Sequence, residues 1–116
     1  MSIDVDGARR KLEEHRERLR REIEEQGIDP DSVDFVRELE HGFADGAHTA
    51  AERGQAITIV RELKGSLGDV ERALGKLDAG TYGACERCGN PIGDDRLEAI
   101  PGVRLCITCK QAVARA

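Results

Sequence analysis

Four cysteines constrain this chain more than any other feature. Cys85, Cys88, Cys106 and Cys109 form two C-x2-C pairs separated by 17 residues. Two residues between cysteines let a tight turn aim both sulfurs at one tetrahedral ion, and the overall spacing is that of a four-thiolate zinc site. Gly89, directly after Cys88, is free to take positive φ and turn backbone N–H groups toward the sulfurs. Pro91, Gly93, Pro101 and Gly102 are the turn residues of a small loop-rich unit. Arg87, Arg104 and Lys110 lie near in sequence and are expected to offset the negative charge of zinc with four thiolates. The expectation is one structural Zn2+ per chain. Catalytic zinc needs an open position, and four thiolates leave none. The metal instead supplies folding energy that so small a unit does not get from burial. A thioredoxin-type pair needs only one C-x2-C.

Disulfides would need an oxidising compartment. The start, MSIDVDGARRKLEE, lacks the apolar stretch of a signal peptide, and no run of 18 apolar residues offers a membrane span. A cytoplasmic protein without a membrane partner is expected. The chain has 116 residues, 35% of them charged, and only 3% aromatic with no Trp. Such a composition closes a globular core with difficulty and suits helical hairpins and coiled coils.

Helical periodicity agrees. Ala8, Leu12, His15, Leu19 and Ile23 fall on one stripe, with Glu and Arg on the other faces at i,i+4 spacings. Gly27 and Pro30 interrupt it. Asp29 before Pro30 reads as the N-cap of a short second helix with Val33, Val36 and Leu39 on one side. Gly42 and Gly46 mark a turn. Val60, Leu63, Leu67, Val70, Leu74 and Leu77 then alternate steps of three and four, an a/d seam on a helix over residues 49–79. Lys64 lies off the seam and reads as solvent-facing. Gly65, Gly68 and Gly75 each weaken that helix by about 1 kcal/mol relative to Ala, which implies packing by a partner helix. Gly80 ends it as a left-handed cap. At ~1.5 Å per residue the helix is about 46 Å long, which the first stripe plus the short helix roughly matches. The economical fold is mainly α: an antiparallel coiled-coil hairpin over residues 1–80, its tip near 42–50, and a four-Cys zinc finger with a short C-terminal helix over 81–116.

The net charge of −5 is concentrated. Residues 28–52 carry 7 acidic and 1 basic side chains, while the flanking segments nearly balance. Phosphate binding needs clustered Lys and Arg, so direct, sequence-specific nucleic-acid binding is not expected. The acidic segment reads as a solvated turn, or as a tip that meets a basic surface or a metal ion on a partner. His15, His41 and His48 do not have the spacing of a second metal site. No Ser/His/Asp set, phosphate-binding glycine loop or acid–base pair appears, so no enzyme is expected.

The segment GTYGACERCGNPIGDDRLEAIPGVRLCITCK, with ALGKLDAGTYG and AERGQ before it, closely resembles the TraR/DksA family of bacterial zinc-finger transcription factors. The resemblance covers residues 43–111, and residues 1–42 match in character, as a charged helix leading to a tip. It implies a hairpin-plus-finger fold, binding to RNA polymerase rather than DNA, a hairpin entering the secondary channel, and altered promoter complexes. The family tip carries an Asp, a second Asp three residues on and an Ala two further. Here these positions look like Asp45, His48 and Ala50. The basic positions that bind ppGpp in the best-known members look like Asp69, Ile100 and Lys110, which argues against ppGpp dependence. The resulting expectation is a monomeric regulator bound to RNA polymerase. The rival from the residues alone is a zinc-stabilised coiled-coil adaptor that dimerises and binds another protein.

Overall fold

The computed structural model describes residues 4–43, 46 and 48–115. Five helices carry them: α1 Val5–Glu25, α2 Phe35–Phe43, α3 Ala50–Ala79, α4 Asp94–Ala99 and α5 Ile107–Arg115. Among the described residues there is no β-strand, only an isolated antiparallel bridge between Ala84 and Pro91. No helix is long and apolar enough to cross a membrane.

The apolar stripe decides how α1 lies. Leu12, Leu19 and Ile23 are buried, and Ala8 and His15 half-buried, so the whole predicted stripe faces inward. Asp4 caps the helix: its carboxylate accepts the Gly7 N–H at 3.0 Å. Gly27, at φ 81°, ends it. The Ile28 N–H reaches back to the Ile23 carbonyl at 3.3 Å and the Gly27 N–H to Glu24 at 2.9 Å. This is a Schellman cap, with the apolar residues it calls for, Ile23 and Ile28, both buried.

The next segment departs from expectation. Asp29 does not cap a helix. Its carboxylate accepts the Asp31 N–H at 2.9 Å, and its carbonyl the Ser32 N–H at 2.9 Å. Asp-Pro here makes a turn, the competing use of the same residues. α2 begins five residues later, capped by Asp34, whose Oδ1 accepts the Arg37 N–H at 3.2 Å. Val33 is therefore left 98% exposed instead of facing Leu39. The turn is braced. Arg20 donates to both carboxylate oxygens of Asp31 at 3.0 Å, and Glu38 accepts the Asp29 N–H at 3.2 Å. Lys64 is half-buried, donates to the carbonyls of Pro30 and Ser32, and lies over the Phe35 ring. It is not the solvent-facing residue that the seam implied, because the i−3 neighbourhood of Leu67 is roofed by this turn.

On α3 the seam holds: Val60, Leu67, Val70, Leu74 and Leu77 are buried and Leu63 half-buried. Ala73 joins them. Each fully buried aliphatic side chain is worth roughly 1.5–3 kcal/mol. Thr49 caps the start, its Oγ1 accepting the Glu52 N–H at 3.1 Å. Gly80, at φ 75°, closes the end with a second Schellman cap, Thr81 N–H to Lys76 O at 2.8 Å. The internal glycines lie off this packed seam. A Cβ at Gly65, Gly68 or Gly75 would meet nothing within 4 Å, so no close helix approach requires them.

The chain packs as two compact units, one of residues 17–67 and one of residues 1–16 with 68–116. In the first, Lys64 of α3 reaches the turn that follows α1. In the second, Arg9 at the start of α1 pairs with Asp78 at the end of α3 at 2.9 Å.

Candidate metal centre

Two local structures aim the four sulfurs. The first pair sits on a tight loop closed by the Ala84–Pro91 bridge. Inside it the Cys85 N–H donates to Asn90 O at 2.8 Å and the Gly89 N–H to Cys85 O at 2.9 Å. Gly89 takes φ 79°, the conformation expected of a glycine after the second cysteine. The second pair straddles the start of α5. Cys106 precedes the helix and acts as its cap, its Sγ receiving the Cys109 N–H at 3.5 Å. A helix N-terminus favours negative charge, so it suits a thiolate.

All four Sγ atoms lie within 4.8 Å of one another. The Cys88 and Cys106 sulfurs are 3.8 Å apart. A tetrahedral ion with metal–sulfur bonds of about 2.3 Å places its ligands about 3.8 Å apart, so the donor set fits zinc in kind and spacing. Cys85 and Cys109 are buried and Cys88 exposed. Ile92 and Leu97 are buried with them, and Tyr82, Val103 and Leu105 pack against this small core. The thiols are unequal. The backbone N–H of Cys106 leads the contacts that draw Cys85 down to about 6, while burial first, and its sulfur neighbours next, push Cys109 up to about 12. Four thiols this close do not ionise together without a cation among them.

The basic residues near the cysteines have these places. Arg87 donates to the Cys109 carbonyl at 3.3 Å. Arg104 is drawn away to Asp69 at 3.3 Å and Glu86 at 3.6 Å. Lys110 is exposed. The residue that sequence reasoning missed is Glu86, inside the first C-x2-C. Its carboxylate accepts from Lys76 at 2.7 Å and Arg72 at 2.9 Å, and its N–H donates to Arg104 O at 2.9 Å. Burial alone would raise the Glu86 pKa, but Lys76 and then Arg72 outweigh it and hold it below the ordinary value. Arg72 and Lys76, one turn apart on α3, were the available signal: two cations on one face with no carboxylate of their own helix between them.

Of the tip residues, Asp45 lies outside the described residues. His48 and Ala50 are exposed. The His48 ring meets Phe43 at 5.1 Å, and its Nδ1 lies 3.3 Å from Glu52. Asp69, in the first of the three ppGpp-type positions, is engaged with Arg104, and Ile100 is 49% exposed. Much of the acidic excess of residues 28–52 has local work. Asp29, Asp31, Asp34, Glu38 and Glu52 all hold a turn, a cap or a neighbouring side chain.

Residues 80–113 match the family model of the prokaryotic dksA/traR C4-type zinc finger. The chain is 32% identical over 105 residues to the RNA polymerase-binding transcription factor DksA of Escherichia coli K12, covering 88% of this chain and 66% of that protein. It is 35% identical over 82 residues to general stress protein 16O of Bacillus subtilis, covering 67% and 50%. The chain spans about one to two thirds of the length of the curated relatives it matches. Its structure is similar to that of transcription factor DksA2 from Pseudomonas aeruginosa, with TM-score 0.69 and 27% identity over 96% of this chain and 83% of that one. It is also similar to the DnaK suppressor protein of Agrobacterium tumefaciens C58, with TM-score 0.63 and 25% identity over 97% and 96%.

Proposed function

The chain belongs to the TraR/DksA family of C4-type zinc-finger proteins, and from that premise we propose that it is a non-enzymatic transcription regulator that binds RNA polymerase. The observation that carries this reading is the alignment, over nearly the whole chain, with a relative named for polymerase binding. In this reading Cys85, Cys88, Cys106 and Cys109 hold one structural Zn2+. The ion supplies four strong bonds that fix the loop-rich segment, and the residues around it fix the sulfurs: Gly89 turns the first loop and Cys106 caps α5. The paired long helices present the segment around Asp45, His48 and Ala50 to the secondary channel. There it alters promoter complexes without reading DNA sequence. The protein acts as a cytoplasmic monomer. An acid at position 69, committed to Arg104, supports action without ppGpp.

A pull-down of core RNA polymerase by the full chain, paired with in vitro transcription from a ribosomal-type promoter, tests the proposal. Binding with a changed transcript level is expected. Asp45→Asn should weaken the transcriptional effect far more than the binding, and His48→Asp should strengthen it, because tip charge acts after docking. No polymerase binding by the wild type, together with a dimeric mass in solution, would turn the reading toward the adaptor.

A further inference from the structure

Beside the zinc core lies a groove of about 370 Å3, between the first turns of α1 and α4. Ala8, Leu97, Pro101 and Tyr82 line it with apolar surface. Leu97 is buried, and the Tyr82 hydroxyl already donates to the Pro101 carbonyl at 3.0 Å. The charged lining is one-sided: Asp94, Asp95 and Glu98 from α4 and Asp4 from the start of α1, against Lys11. Asp4 is used as a helix cap. The three α4 carboxylates make no side-chain hydrogen bond or ion pair among the described residues. Elsewhere in this unit Asp69, Asp78 and Glu86 each face a cation within 3.3 Å. The groove thus joins an apolar wall to three unpaired negative charges.

We propose that this groove seats a lysine- or arginine-bearing segment of RNA polymerase. It rests on the polymerase-binding reading above and names one contact within it. The aliphatic stem of such a side chain covers Ala8, Leu97 and Pro101, which a bare metal ion would leave wet. Its charge meets Asp94, Asp95 and Glu98, and the Tyr82 ring offers a cation a π-face. Nucleic acid is repelled by the same carboxylates, so the complementary partner is a basic protein surface.

The test compares three full-length, zinc-loaded proteins for binding to core RNA polymerase at two salt concentrations. They are the wild type, the triple variant Asp94→Asn/Asp95→Asn/Glu98→Gln, and the control Glu17→Gln/Glu24→Gln/Glu25→Gln, which removes as many exposed charges from α1. The groove variant should bind about tenfold more weakly, equivalent to about 1.4 kcal/mol. It should also lose part of the salt dependence, and keep its zinc and melting temperature, while the control stays within twofold of wild type. Ala8→Phe, which fills the groove without touching charge, should weaken binding as well. Groove and control variants binding alike would overturn the proposal while leaving the polymerase reading intact. So would a loss of binding that tracks a loss of zinc or stability, since the carboxylates would then be structural. Wild type that fails to bind polymerase at all would overturn both.

Discussion

Replacing Glu86 by Gln removes one charge from the point where the first cysteine loop meets α3, with almost no change in shape. The carboxylate faces Lys76 at 2.7 Å, with the Glu86 and Lys76 side chains 23% and 16% exposed. Arg72 and Arg104, its other partners, are about half exposed. An exposed pair contributes up to about 1 kcal/mol, whereas breaking a buried one costs about 3–5 kcal/mol. The Lys76 contact lies toward the second case and the two arginines toward the first, and Gln still accepts one hydrogen bond. The expected loss is therefore about 1.5–3 kcal/mol, with a fall in melting temperature of roughly 4 °C per kcal/mol. Tyr82 is the chain's single tyrosine and there is no Trp, so intrinsic fluorescence during urea unfolding reports on this unit. Glu71→Gln, at an exposed position of the same helix, should change stability by less than about 0.5 kcal/mol. The depressed Glu86 pKa also sets a sign. Its contribution is complete above the unfolded-state value of about 4.3 and is lost as pH falls through the lower folded value. Glu86→Gln should flatten the acid limb of the stability curve there. Equal effects from Glu86→Gln and Glu71→Gln, or an unchanged acid limb, would refute the clamp.

Three further outcomes are expected. Elemental analysis should find one zinc per chain in the wild type and none in Cys88→Ser, which should unfold the segment from Thr81 onward while circular dichroism retains most of the helix signal; a folded, metal-free wild type would end the zinc claim. Leu67→Ala should cost about 2–5 kcal/mol because Leu67 is buried in the seam, and Lys64→Ala about 1–3 kcal/mol because two carbonyls lose a charged donor; a negligible Lys64→Ala effect in urea titrations would show that the turn after α1 is not braced by it. Gly65→Ala, Gly68→Ala and Gly75→Ala should each raise stability by about 0.5–1 kcal/mol with zinc content unchanged, since each faces open space.

The centre and the long helices were legible in the sequence because each rests on a local rule. Two C-x2-C pairs need only short turns to bring sulfurs together. The seam from Val60 to Leu77 needs only 3.6-residue periodicity. Gly80 needs only a helix end. What was illegible depended on tertiary choices. Asp29-Pro30 serves a helix start and a turn equally well, and the braces from Arg20 and Lys64 decided for the turn. Those braces come from residues far along the chain, so Lys64 looked exposed when judged by its own helix alone. The glycines of α3 weaken it as a lone helix, and the packing that this implied falls on the seam residues, while the space beside the glycines themselves is open. Glu86 was hidden by its neighbours: between the two cysteines of a C-x2-C pair a glutamate attracts no notice until α3 is laid beside it.

The two compact units differ in how they draw on the chain. Residues 17–67 are one uninterrupted stretch, whereas the unit with the cysteines also needs residues 1–16. On the ribosome the uninterrupted stretch is complete first. Leu12, fully buried at the end, belongs to the unit that is completed only by residues from 68 onward, which emerge several seconds later at about 5–20 residues per second. The cysteines follow later still, after the stretch of residues 17–67 has already been made. Vectorial synthesis therefore leaves an apolar face of α1 uncovered for that interval, and the closing of a long loop sets when it is shielded.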